Sequence, residues 1–177
     1  MNTTTKRPPE AFRSANMFDT GMGYVLVSRF KSDGLVEAGV FLLDTFCLGV
    51  KNAFFSRLNQ SEYENRLVQK VFAKDGNQPL TPACARKLVQ DAVAYAQHLG
   101  FAPHPDYKKA CRVFGGISVT ECNEVFTFGK DGRPCFIQGP DDSELFCRKA
   151  MTLLTIRCGE GNFDYIVVAD DMGGLDL

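Results

Sequence analysis

The sequence predicts an α+β fold: two β-hairpins and a C-terminal strand in one mostly antiparallel sheet, with four to five helices packed against it. Three observations carry this. Residues 24–30 and 35–43 are rich in β-branched and aromatic side chains and flank the turn Lys31-Ser32-Asp33-Gly34, where glycine can supply the positive φ of a tight turn. A second Asp-Gly turn, Lys130-Asp131-Gly132-Arg133, separates the apolar stretches 119–128 and 135–138. The remaining segments repeat apolar residues every three to four positions and carry helix-capping residues at their ends.

Taken in order, residues 1–22 hold Thr-Thr-Thr and Lys-Arg-Pro-Pro with little periodicity. They are expected to form a flexible leader, from which Phe12, Met17 and Phe18 can still dock on the body. A single globular domain is expected over 23–169, and an acidic, frayed tail over 170–177. The first hairpin ends in the wholly apolar run 38–43, which predicts a central strand covered on both faces. Phe46, Val50, Ala53 and Phe54 then fall on one helical face, so a helix is expected from Asp44, as N-cap, to about Arg57.

Ser61 and Glu64 have capping-box spacing and open a helix to about Lys74, in which Glu62 and Arg66 can pair at i, i+4. Thr81-Pro82 starts the clearest helix. Leu88, Ala92, Tyr95, Ala96 and Leu99 form its stripe, and Gly100 closes it in a left-handed cap with Phe101 folding back. Asp106 caps a short helix ended by Gly115-Gly116. The second hairpin follows, then a helix opened by Asp141 and Glu144, then a last strand over 163–169. The spacing of Asp33 and Asp44 matches that of Asp131 and Asp142, as a pseudo-repeat of hairpin and helix would require.

Composition bounds the rest. A chain of 177 residues, 45% apolar, can bury one sizeable core. The net charge of −1 gives no general attraction to nucleic acid or to an anionic membrane. Residues 1–23 contain no apolar signal-peptide core, and a cytoplasmic location is expected. The seven cysteines include no Cys-x-x-Cys pair and mostly have apolar neighbours, so they are expected to be reduced and buried.

Three separated motifs resemble a known family: 44–54 (Asp-Thr-Phe-Cys-Leu-Gly-Val-Lys-Asn-Ala-Phe), 100–106 (Gly-Phe-Ala-Pro-His-Pro-Asp), and 128–134 (Phe-Gly-Lys-Asp-Gly-Arg-Pro) with Gly139-Pro140. They are similar to those of a family of mainly bacterial, single-domain proteins, over roughly residues 24–165. The resemblance implies a soluble single-domain protein. The family has no established activity, so the resemblance brings no cofactor or catalytic residue with it.

Chemistry therefore has to be sought in the side chains. The leading group is His98, His104 and Asp106, with Asp44, Asp141 or Asp142 as more distant partners. Imidazoles with carboxylates suit a divalent metal such as zinc, manganese or iron, which could acidify a bound water for hydrolysis. Pro103 and Pro105 would hold His104 in a fixed, extended geometry. Asp44 and Asp106 are further catalytic candidates, and Cys47, near an expected helix start, is a candidate nucleophile. No phosphate-binding glycine loop or Gly-x-Ser-x-Gly elbow occurs. With caps plentiful and catalytic signatures scarce, the expectation is a binding or regulatory module, with edge strands offered to a protein partner or a second copy. The alternative is a metal-dependent hydrolase centred on His98, His104 and Asp106.

Overall fold

The structure is a computed structural model that describes residues 7–167. It has an α+β fold. Its main sheet is antiparallel, with strands β1 (Glu10–Ser14), β2 (Met22–Phe30), β3 (Leu35–Asp44), β4 (Gly49–Asn59) and β5 (Asn77–Leu80), in the order β4-β3-β2-β1-β5. The predicted first hairpin is β2–β3, in register from Met22 opposite Asp44 to Phe30 opposite Val36.

Helices cover both faces of this sheet. Because strand side chains alternate, the odd-numbered Val25, Val27, Phe41 and Leu43 face α4 (Pro82–His98), and Ala110 and Val113 pack in the same cluster. The even-numbered Leu26, Phe30, Val36, Ala38 and Val40 face a helical rod on the other side. That rod is continuous: α2 (Gln60–Glu62), a π-helical turn (Tyr63–Leu67) and α3 (Val68–Val71). Gly39 lets β3 pass close under the turn Cys111–Phe114. A Cβ built there would lie 2.5 Å from Val113 Cγ1 and 2.9 Å from the Ala110 carbonyl oxygen.

Several expectations change. Residues 10–20, expected in the leader, form β1 and the short helix α1 (Met17–Thr20), and Met17 is fully buried. β1 is an inner strand, paired with both β2 and β5. The helix expected from Asp44 is instead strand β4. Its register shifts beside Leu42/Leu43, with Asn52 opposite Leu42 and Val50 opposite Leu43, so Lys51 is the extra residue of a bulge. The bulge puts Val50 and Ala53, three apart, on one face, which in sequence imitates helical spacing. The rod's capping box falls two residues earlier than predicted, on Asn59 and Glu62.

The α4 prediction holds. Thr81 Oγ1 accepts from the Cys84 N–H at 3.2 Å, Pro82 takes the first turn, and Gly100 has φ +94°. Phe101 N–H closes the cap on the Ala96 carbonyl at 2.9 Å.

The second hairpin does not form. Asp131 and Gly132 have φ of 52° and 79°, and Lys130 and Arg133 exchange both backbone hydrogen bonds, so the turn itself is as predicted. Its upstream arm, however, is a strap held on side chains. Cys122 is disulfide-bonded to Cys84, Phe126 stacks on Phe18, and Phe128 stacks on Tyr95. The downstream arm β6 (Cys135–Gln138) pairs in parallel with β7 (Asp164–Val167) across helix α6 (Glu144–Cys158), as parallel strands require a crossover. This pair is a separate small sheet, so neither the second turn nor the last strand joins the main one, and the pseudo-repeat ends at the turn. α6 is capped by Ser143, whose Oγ accepts from Phe146 N–H at 3.1 Å, rather than by Asp141. Residues 168–177, including the predicted acidic tail, lie outside the described residues, as do residues 1–6.

Candidate functional site

The histidine-centred group does not assemble. His98 ends α4 and is exposed. His104 is half-buried and tied into the backbone: its N–H donates to the Val50 carbonyl at 2.9 Å, its carbonyl accepts from Tyr107 N–H at 2.9 Å, and its Nδ1 accepts from Asp106 N–H at 3.1 Å. Asp106, the expected cap, makes no side-chain cap at α5 (Tyr107–Ala110). Among the described residues no three His, Cys, Asp or Glu side chains converge as a metal would need.

Asp44, Asp142 and Cys47 hold structural positions, while Asp141 is exposed. Asp44 is 4% exposed, and its Oδ1 accepts from Phe46 and Cys47 N–H at 3.0 and 2.9 Å, closing the β3–β4 turn. Burial pushes its carboxyl up to about 6, against the opposing pull of those N–H groups and the Lys51 charge. Asp142 Oδ2 accepts from Gly139 N–H at 2.7 Å. Cys47 is fully buried, and burial followed by the nearby Asp44 charge pushes its thiol far up, so it is no nucleophile. Cys84 and Cys122 form a disulfide, so the expectation of seven reduced cysteines fails for these two; Cys47, Cys111, Cys135, Cys147 and Cys158 are free thiols.

A concave feature lies on the even-numbered face of the sheet. Its position follows from how the helical rod is anchored. Tyr63 is completely buried at the start of the π-turn; its hydroxyl donates to Glu10 Oε1 and accepts from Ser28 Oγ, both at 2.9 Å. Phe72, at the other end, meets Phe12 edge-on. Both anchors lie toward β1 and β2, so the rod leaves the β4 side of this face uncovered. A groove of about 590 Å³ results. The sheet contributes Tyr24, Phe54, Ser56 and Leu58, and the rod contributes Arg66, Leu67, Lys70 and Val71, with Arg57 and Glu62 at the rim.

Two properties mark this groove. Phe54 is 39% exposed, although its cross-strand partner Val40 on the same face is buried. Its sequence assignment to a buried helix face is therefore overturned, and with β4 read as a strand its even position would have placed it here. The rim is also electropositive. The expected Glu62–Arg66 pair is not made, because Glu62 Oε2 accepts from Asn59 N–H at 3.2 Å in the capping box. Arg57 is paired with Asp33. Arg66 and Lys70 have no ion-pair partner among the described residues. By contrast, the smaller basic hollow at Arg7, Arg29 and Lys31 is neutralised by Glu10, Glu64 and Glu37.

No helix among the described residues is long and apolar enough to cross a membrane. Comparison of the chain with protein-family models, with curated proteins and with solved structures gave no match, so the reading of this site rests on its geometry.

Proposed function

We propose that the chain is a binding module and that the groove between β4 and the helical rod is where it binds. The observation that carries this is Phe54, an aromatic ring left at the floor of a concave site of ligand size. Of the candidates for covalent or metal chemistry, Asp44, His104 and Asp142 accept backbone N–H groups and Cys47 is buried, which favours binding over catalysis.

A ligand-observed NMR screen of small apolar and aromatic fragments tests it, with wild type beside Phe54→Asp. Phe54 already meets water, so the substitution leaves the core in place. Fragment contacts that vanish in the variant are the expected result. Contacts of equal strength in both proteins would remove the groove from consideration.

A further inference from the structure

We infer that the groove takes an amphipathic carboxylate: an apolar chain laid along the floor, with one anionic head at the rod. The inference rests on the binding-module reading and adds the ligand's chemical class. Phe54, Leu58 and Leu67 give the groove an apolar bed running from sheet to rod. Arg66 and Lys70 are four residues apart, and both line the groove; side chains at that spacing share a helix face. The arginine fork matches a carboxylate with two parallel hydrogen bonds, and the lysine adds a second, more mobile charge.

The fixed charges decide between anion classes. Glu62 is the acidic residue at the groove, and the capping box holds it at the rod's N-terminal end. That carboxylate occupies the place where backbone N–H groups would otherwise greet a polyphosphate. Arg66 and Lys70, one and two turns further along the rod, have no ion-pair partner among the described residues, and two cations beside one carboxylate suit a single negative charge. A nucleic-acid strand would need a longer basic track, and a chain with net charge −1 does not supply one generally.

The test uses isothermal titration of the full chain with three ligands sharing one ten-carbon chain, each kept below its micelle concentration: decanoate, decanol and decyltrimethylammonium. Decanoate is expected to bind with one-to-one stoichiometry and the cationic chain to bind at least about tenfold more weakly. Arg66→Glu/Lys70→Glu should weaken decanoate by about tenfold or more and leave decanol unchanged. Both residues are exposed, and an unaltered melting temperature in the variant shows that folding is intact. If decanol and the cationic chain match decanoate and only Phe54→Asp abolishes binding, the carboxylate class is overturned while the groove remains a binding site. If no chain binds and the fragment screen is also blank, both readings fall. If decanoate binds only when incorporated in phosphatidylcholine vesicles, the free carboxylate is overturned in favour of a membrane surface.

Discussion

Asp44→Asn should abolish most of the pH dependence of stability between about pH 4 and pH 7. Asp44 is 4% exposed and its carboxyl is raised from 3.8 to about 6, chiefly by burial. A carboxyl raised on folding binds its proton more tightly in the folded than in the unfolded state. Its contribution is therefore most favourable below the unfolded value of 3.8 and is lost as pH rises through about 6. A difference of about two pKa units corresponds to roughly 3 kcal/mol, an upper figure for a single buried group. The asparagine keeps an Oδ1 for Phe46 and Cys47 N–H, so the turn retains its acceptors while the titration disappears. Urea denaturation at several pH values across this window, on both proteins, measures the effect. Wild type should lose stability on going from acid to neutral by up to about 3 kcal/mol more than the variant. Parallel pH profiles for the two proteins would refute a buried, raised Asp44.

Two further perturbations probe the frame that supports the groove. Gly39→Ala places a methyl group 2.5 Å from Val113 Cγ1; the overlap should cost roughly 1–3 kcal/mol, outweighing the gain of up to about 1 kcal/mol from replacing a glycine. Chemical denaturation reads this, and an unchanged midpoint would mean that Val113 does not sit over β3. The Cys84–Cys122 bond closes a separation of 38 residues, for which loop-closure entropy gives about 4 kcal/mol as a ceiling. Cys84→Ala/Cys122→Ala should lower stability by up to that amount. Thiol titration of the unfolded chain should return the five free cysteines rather than all seven. Seven would contradict the bond and favour the reducing cytoplasm expected from the sequence, since such bonds persist mainly in oxidising surroundings.

The parts of the fold legible in the sequence are those fixed by local chemistry. α4 announced itself through Thr81, Pro82 and Gly100, and β2–β3 through a β-branched run either side of Asp33-Gly34. β4 was hidden by one residue. The Lys51 bulge moves Val50 and Ala53 to a spacing of three, and a strand with that defect reads as a helix. β1 was hidden because only Ala11 and Ser14 of its five residues are buried, too few to outweigh its polar composition. The Asp131-Gly132 turn was read correctly, yet a turn does not dictate that its arms pair; side-chain contacts to Cys84, Phe18 and Tyr95 hold the upstream arm elsewhere. Asp44 was expected to accept backbone N–H groups and does, at a turn between strands in place of a helix start.

The groove was not legible because it is set by tertiary placement. Tyr63, Ser28 and Glu10 decide which side of the sheet the rod covers, and those residues are brought together only when β1, β2 and the rod pack. Arg66 has no ion-pair partner among the described residues for a similar reason. The i, i+4 rule offered it Glu62, but the Asn59 N–H at the helix start takes the Glu62 carboxylate in the capping box, while Asn59 Oδ1 accepts from the Glu62 N–H.

The measurement that bears most directly on the groove is a two-dimensional amide NMR titration of the labelled full chain with decanoate. Shifts confined to the backbone of residues 54–58 and 66–71, saturating together, are the predicted outcome. Shifts centred on α6 and β7 with the groove silent, or no saturable change at all, would contradict it.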